Sequence, residues 1–231
     1  MTPAKRDPYH ISTKPFVCDG EEQFVQVKEF RQAVQRCRWP SGEVIEETVW
    51  PVTSSGCYIE EIEPSPSGNW LVTQRISGQG EWGYDVFRTR PLAREAGVAE
   101  ERGYILELPR FSADESWLVG GFGIAWLGGW WVSDGDDWYS PARGGLVSFG
   151  FLFVHRLPSH RVTRHELRVD LPKGWLPDDR ESEVWYGASN IQPVGEGVRL
   201  TFAGGVPVEI RGPLPSEILL PTPHPAGRRL L

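Results

Sequence analysis

A segment that occurs twice limits the folds open to this chain more than any other feature. Residues 65–72 (SPSGNWLV) recur as residues 112–119 (SADESWLV), so that two Trp-Leu-Val triplets lie 47 residues apart. In each copy a small polar turn precedes an apolar stretch that suits a β-sheet. Fixed periods of about 40–50 residues are typical of propellers and related arrays. The repeat therefore predicts an all-β, propeller-like array.

Two weaker copies extend the array toward both ends of the chain. Residues 18–25 (CDGEEQFV) and 194–200 (VGEGVRL) show the same layout of a glycine turn and an apolar stretch. The copies predict about four short antiparallel sheets, in a ring or in an open or irregular arrangement. Strands are expected to start near Phe24, Trp70, Trp117 and Val198. Because Trp70 and Trp117 occupy the same point of the repeat, we expect them to be equivalent core residues.

Further strands are expected between the copies. Residues 33–39 and 44–49 flank a Pro-Ser-Gly turn, and residues 146–154 and 162–171 meet near a second Pro-Ser pair, so each pair predicts a hairpin. Residues 21–37 also place apolar side chains at near-helical spacing, but strands are favoured because the hairpin pattern follows directly. Residues 92–102, in the same way, fit a short helix or a loop.

These motifs resemble those of a known class. Residues 19–20 (DG), 65–71 (SPSGNWL) and 37–43 (CRWPSGE) look like the turn and Gly-Glu elements of WD40-like and TolB-like β-propeller blades. The resemblance covers most of residues 16–215, although the usual Gly-His and Trp-Asp dipeptides are missing. It implies radial four-stranded blades and a role in binding. It brings no fixed active site whose residues could be transferred to this chain.

The charge and the apolar pattern argue against two classes of partner. A net charge of −7 at pH 7 gives a surface that phosphate backbones repel, so no nucleic-acid binding is expected. The polar N-terminus and the lack of any run of about 18 apolar residues predict no secretory signal and no membrane partner. The three cysteines form no Cys-x-x-Cys pair and are expected to be reduced thiols of a cytoplasmic protein.

The common phosphate, nucleotide and nucleophile motifs are not found. Gly121-Phe122-Gly123 follows a strand, but the sixth position of a dinucleotide fingerprint is Trp126 and no helix pattern opens there. Neither a Walker phosphate loop nor a Gly-x-Ser-x-Gly elbow occurs. No cofactor is predicted.

One acidic cluster could in principle hold a metal. Asp134, Asp136 and Asp137 offer the oxygen ligands that Ca²⁺ prefers, but their spacing does not match the EF-hand loop. A solvated turn is therefore the favoured interpretation of this cluster.

Three histidines, His155, His160 and His165, follow one another at intervals of five residues. A hairpin could bring His155 and His165 together beside Glu166, as a transition-metal site needs. The favoured interpretation instead continues an aromatic strand face with His155 and leaves the other two at the surface. No metal is predicted.

Aromatic residues crowd two of the expected connections. Trp and Tyr are enriched in binding hot spots, although a single one more often belongs to a core. The candidate binding residues are Trp82, Tyr84, Trp126, Trp130, Trp131, Trp138 and Tyr139. Residues 120–145 are long for a connection and are predicted to form an exposed aromatic insertion that contacts a partner or a second copy of the chain.

The predicted organisation is an N-terminal arm (1–15), a single propeller-like domain (16–215) with the insertion at 120–145, and a Pro-rich tail (216–231). Its favoured function is a non-catalytic binding or scaffold module that contacts another protein, or a second copy of itself, through an aromatic rim. The alternative is a hydrolase or lyase whose histidines and carboxylates come from several blades. A small self-associating structural protein is a third interpretation.

Overall fold

The computed structural model describes residues 11–18, 20–28, 33–49, 58–76, 82–100, 103–124, 133–134, 137–138, 145–171, 190–201 and 207–220. The chain divides into two compact units, residues 1–101 and 102–231. The described residues form strands and turns without a helix, and so without a helix long and apolar enough to cross a bilayer.

The first unit contains two sheets. Its strands are β1 (Ile11–Ser12), β2 (Phe16–Cys18), β3 (Glu21–Lys28), β4 (Ala33–Arg38), β5 (Val44–Val49), β6 (Tyr58–Pro64), β7 (Trp70–Ile76), β8 (Trp82–Thr89) and β9 (Leu92–Glu100). Sheet 1 has the order β1-β3-β4-β5, with β2 also paired to β3, and sheet 2 has the order β6-β7-β8-β9. All pairings in this unit are antiparallel.

The second unit contains two larger sheets and a short ladder. Its strands are β10 (Gly103–Phe111), β11 (Trp117–Ile124), β12 (Ser133–Asp134), β13 (Asp137–Trp138), β14 (Gly145–Arg156), β15 (Arg161–Leu171), β16 (Asn190–Val194), β17 (Gly197–Thr201), β18 (Val208–Ile210) and β19 (Glu217–Leu220). Sheet 3 has the order β10-β11-β14-β15-β19, sheet 4 has the order β16-β17-β18, and β12 pairs with β13. The pairing of β15 with β19 is parallel, whereas the others are antiparallel.

The predicted architecture of about four short sheets is confirmed. Trp70 and Trp117 begin β7 and β11, and Phe24 and Val198 lie within three residues of the start of β3 and β17. Both predicted hairpins are present, as β4–β5 and β14–β15. The prediction of a helix or loop over 92–102 was wrong, since Leu92–Glu100 is β9, the edge strand of sheet 2.

The two copies of the repeat have the same turn. The hydroxyl of Ser65 accepts a hydrogen bond from Trp70 N at 3.1 Å, and Ser65 N donates to Trp70 O at 2.8 Å. Ser112 and Trp117 make the same two bonds at 3.2 and 2.8 Å. Trp117 is buried, but Trp70 is only half-buried. The expectation of equivalent core residues therefore holds for the turn position and is wrong for burial.

Each unit has its own hydrophobic core. In the first unit, a core lies between sheets 1 and 2 and is formed by Val25, Val27, Val34, Ile59, Leu71, Phe87 and Leu92. In the second unit, sheet 3 packs against sheet 4 through Trp117, Val119, Leu152, Val154, Leu167, Val169, Ile191, Val198 and Leu200. The opposite face of sheet 4 is polar, because Arg199 and Glu209 pair across it at 2.7 Å.

Candidate binding surfaces

The aromatic candidates follow the second strands of sheets 2 and 3 in the sequence. Trp82 begins β8, and the insertion separates β11 from β14. Tyr84 is fully buried in β8, so its ring belongs to the interior of sheet 2. For Trp138 the structure describes only the strand pairing with Ser133.

The remaining aromatic candidates lie outside the described residues: Trp126, Trp130, Trp131 and Tyr139. The first part of the predicted insertion is strand, since β11 runs to Ile124. In the acidic cluster, Asp134 pairs with Asp137 across β12 and β13, and Asp136 lies outside the described residues.

The histidines of β14 and β15 are paired differently from the metal hypothesis. His155 lies opposite Val162, and His165 lies opposite Leu152, so the hairpin keeps the two imidazoles apart. His155 Nε2 instead lies 3.1 Å from Nδ1 of His160 in the turn. Burial, and secondarily the neighbouring His160, lowers the pKa of His155 to about 4. Within the described residues no three His, Cys, Asp or Glu side chains form a metal-binding group.

The most buried charge in sheet 2 is satisfied inside the sheet. Asp85 has no exposed surface, and its Oδ1 lies 2.7 Å from Nε and 2.6 Å from Nη2 of Arg94. Its Oδ2 lies 3.9 Å from Nε of Arg75. A Cβ on Gly97 would overlap the Asp85 carboxylate and the Arg94 guanidinium, so glycine makes room for the cluster. Because a buried charge needs such partners, we assign this cluster a structural role.

Sheet 1 contains an ion pair of its own. Arg36 is buried, and its guanidinium bonds Gln23 at 2.9 Å and Glu46 at 2.7 Å. Burial opposes ionisation of Glu46, but hydrogen bonds from Arg36 and from the backbone N–H of Leu92 outweigh it and lower the pKa of this carboxyl group. Since Leu92 begins β9, Glu46 connects the edge strands of sheets 1 and 2.

The edge of sheet 1 carries exposed apolar side chains. β5 is the terminal strand of the sheet, and Val44, Ile45 and Val49 are 44%, 37% and 68% exposed. Trp39, in the hairpin before β5, is 45% exposed. An apolar edge strand is a surface to which another chain can add. We call Val44, Ile45 and Val49 the apolar edge.

Sheet 2 has the same plan and a different edge. Both sheets have a bulge next to the edge strand, between Arg36 and Cys37 in sheet 1 and between Val86 and Phe87 in sheet 2. By this register, the positions of the apolar edge correspond to Arg94, Glu95 and Ala99 in β9. Arg94 holds Asp85, and Glu95 pairs with Arg88 at 2.9 Å. The edge of sheet 2 is therefore charged and internally paired.

The structure draws attention to a second repeat in the sequence. Residues 38–43 (RWPSGE) and 156–161 (RLPSHR) form turns of the same kind in the β4–β5 and β14–β15 hairpins. Both turns contain a cis X-Pro bond, and Gly42 and His160 have φ values of 73° and 55°. A search for the Arg-x-Pro-Ser pattern would have found the pair.

The two hairpins differ in charge. In the first, Arg38 pairs with Glu43 and lies 3.6 Å from Glu21. In the second, arginine replaces glutamate, so Arg156 and Arg161 lie directly opposite each other in the ladder. Arg156 also lies over the ring of Trp117 at 5.5 Å. Neither Arg156 nor Arg161 pairs with a carboxylate in the part of the chain that the structure describes.

Comparisons with known proteins give structural similarities alone. No protein family and no curated protein sequence matches the chain. Hydrazine synthase of Kuenenia stuttgartiensis is similar at 12% identity and a TM-score of 0.49, over 79% of this chain and 47% of that one. The Cps50 (Swd1) β-propeller domain of Myceliophteria thermophila is similar at 10% identity and a TM-score of 0.44, over 87% and 52%.

A third similar structure is prolyl oligopeptidase B of Galerina marginata, at 11% identity and a TM-score of 0.45, over 84% of this chain and 27% of that one. The chain thus spans about half or less of the length of each of these proteins. WD40 domains also occur among the similar structures, each with a TM-score of 0.39.

Proposed function

We propose that this protein is a non-catalytic protein-binding module. The observation that carries the proposal is the apolar edge of sheet 1, where the corresponding positions of sheet 2 hold charged and small residues. The charge on β9 is explained by folding, because Arg94 holds the buried Asp85, whereas the exposed apolar side chains of β5 have no such role in sheet 1. The difference points to an outside partner for β5.

The chemistry of β5 defines the partner. The exposed Glu47 lies beside the apolar edge, and the whole chain is acidic. The partner is therefore an extended segment in which apolar residues alternate with lysine or arginine. Such a segment would add to the regular part of β5 beyond the bulge at Ile45, with main-chain hydrogen bonds supplying affinity.

The aromatic insertion at 120–145 is a second contact surface in this proposal. The insertion contains several tryptophans, and large aromatic residues are enriched in binding hot spots. Replacing Trp130 and Trp131 with serine tests it, because loss of partner binding without a change in melting temperature would mean that at least one of the two rings contacts the partner. A sharp fall in melting temperature would make them core residues instead.

The test of the apolar edge copies the edge of sheet 2 onto sheet 1. The variant V44R/I45E/V49A places the residues of β9 at the corresponding positions of β5. The probe is a labelled octapeptide in which valine alternates with lysine, followed by fluorescence anisotropy. We expect the variant to bind it at least tenfold more weakly with an unchanged melting temperature. Equal binding by wild type and variant would overturn the proposal for β5.

A matched control keeps the test specific. Thr48 lies in the same strand but on the face toward sheet 2, beside Val34. The variant T48S should bind the peptide as the wild type does. A peptide of the same length and charge in which proline replaces valine cannot donate backbone hydrogen bonds at those positions and should bind more weakly, if the segment adds as a strand.

A further inference from the structure

Among the described residues, another strand pairs with only part of the outer edge of sheet 3. β19 pairs in parallel with residues Glu166–Val169 of β15, and its Glu217 lies 3.9 Å from Arg168. The covered part ends at His165, whose Nδ1 lies 2.7 Å from the carbonyl oxygen of Pro215. No strand among the described residues pairs with residues 161–164 on that side.

This open half-edge is basic. Residues 161–164 read Arg-Val-Thr-Arg, and both arginines are exposed. Val162, between them, is 37% exposed. Arg161 faces Arg156 directly across the hairpin, at a Cβ separation of about 5 Å for such pairs. Like charges directly opposite each other destabilise a ladder, so the arrangement costs stability that a bound anion would restore.

The matching hairpin of sheet 1 shows that this charge is not required by the turn. The β4–β5 turn has Gly42 and Glu43 where the β14–β15 turn has His160 and Arg161, and there Glu43 neutralises Arg38. His160 also adopts a left-handed backbone, with φ at 55°, which glycine takes more readily. Two local preferences are thus broken at one hairpin, as is common at functional sites.

We propose that residues 161–164 of β15 bind an extended acidic segment of a partner protein. The segment would continue the line of β19 along the edge of sheet 3, and its carboxylates would lie against Arg161 and Arg156, which share one face of the hairpin. β19 provides the precedent, because it already adds to this edge and places a glutamate beside an arginine. This inference rests on the proposed function and names a second class of partner for it.

The experiment uses the full chain and labelled octapeptides, measured by fluorescence anisotropy at low salt. The probe alternates glutamate with threonine. Its controls are the lysine-threonine peptide, the glutamate-proline peptide of equal charge, and inorganic phosphate as a competitor. We expect the glutamate-threonine peptide to bind, the lysine peptide to show no binding, and the proline peptide to bind at least fivefold more weakly.

The decisive variant is H160G/R161E, which copies the Ser-Gly-Glu turn of the β4–β5 hairpin and should fold because that hairpin folds with the same residues. It should bind the acidic peptide at least tenfold more weakly, and R161Q should show an intermediate loss if the double variant fails to fold. R211E is the control, because Arg211 is 89% exposed and its reversal changes the net charge equally. It should bind as the wild type does.

Four results would overturn the inference. They are equal binding by H160G/R161E, equal binding of the proline peptide, full competition by phosphate at concentrations matched to the peptide, and a dimer that the acidic peptide dissociates, which would make a second copy of the chain the occupant. Binding of the valine-lysine peptide to β5 is measured separately, so failure here leaves the proposed function standing.

Discussion

Sheets 1 and 2 are two versions of one plan. In both, the outermost pair between the second and third strands contains an arginine of the third, Arg38 or Arg88, and the fourth strand has its bulge at the same level. In the middle of sheet 1, Gln26 bonds Gln35 at 2.9 Å, whereas Thr73 and Asp85 take those places in sheet 2. Two sheets with the same strand pairing can therefore contain very different polar side chains at their centres.

The edge strands β5 and β9 differ in sequence because the polar layers at the centres of their sheets differ. Asp85 requires a cation, and Arg94 provides it from β9. Gln35 is neutral, so the corresponding residue of β5 is free to be Val44, and Gln35 bonds Glu47 instead. A buried amide needs hydrogen bonds alone, while a buried carboxylate also needs opposite charge. The apolar edge is therefore possible in sheet 1 and not in sheet 2.

The largest expected effect on stability comes from the reverse exchange, in which β9 receives the edge residues of β5. R94V/E95I/A99V gives β9 the apolar edge and leaves the carboxylate of Asp85 buried without its nearest guanidinium. Loss of one partner of a buried pair costs about 3–5 kcal/mol. We expect such a loss in the free energy of unfolding by urea, against less than about 1 kcal/mol for V44R/I45E/V49A. Equal losses would break the comparison.

Alanine substitutions compare how much the polar layers of the two sheets contribute to stability. D85A removes the carboxylate and leaves Arg94 and Arg75 beside each other, so we expect a loss of about 3 kcal/mol. Q35A removes a neutral hydrogen-bonding group and should cost about 1 kcal/mol. Urea melts of both variants measure the difference. A Q35A loss as large as that of D85A would show that sheet 1 depends on its amide layer as sheet 2 depends on its charge.

The smallest expected effect is on the stability of the protein at acidic pH. The pKa of Glu46 is lowered in the folded chain, since the hydrogen bonds from Arg36 and Leu92 outweigh its burial. Its contribution is therefore present at neutral pH and is lost as the pH falls through the folded pKa, below the ordinary carboxyl range. Sheet 2 has Ala96 at this position. We expect E46Q to flatten the acid limb of a pH–stability curve, with A96S as the unaffected control.

The sequence predicted the parts of the fold that local patterns determine. The serine-to-tryptophan turns and the Pro-Ser hairpins are short-range signals, and the structure confirms the strands that they start. The strand over Leu92–Glu100 was missed because its alanines and glutamates favour a helix and only pairing with β8 makes it a strand. The parallel addition of β19 to β15 joins residues about 50 positions apart and leaves no local pattern.

The candidate surfaces were predictable only in part. Aromatic crowding drew attention to Trp82 and to the insertion, but composition cannot tell a buried ring from an exposed one, as Tyr84 shows. The apolar edge was hidden because Val44, Ile45 and Val49 look like any buried strand until the order of strands is known. The basic residues at the open edge of β15 stood out only when the β14–β15 hairpin was compared with the β4–β5 hairpin.

Hydrogen exchange with the valine-lysine octapeptide tests the central claim most directly, because it compares the two edges in one molecule. We expect saturating peptide to slow amide exchange in Val44–Val49 and to leave Leu92–Glu100 unchanged. We also expect V44R/I45E/V49A to abolish the protection. Protection of both edges alike, or of neither while the peptide is bound, would contradict the claim that sheet 1 provides the binding surface.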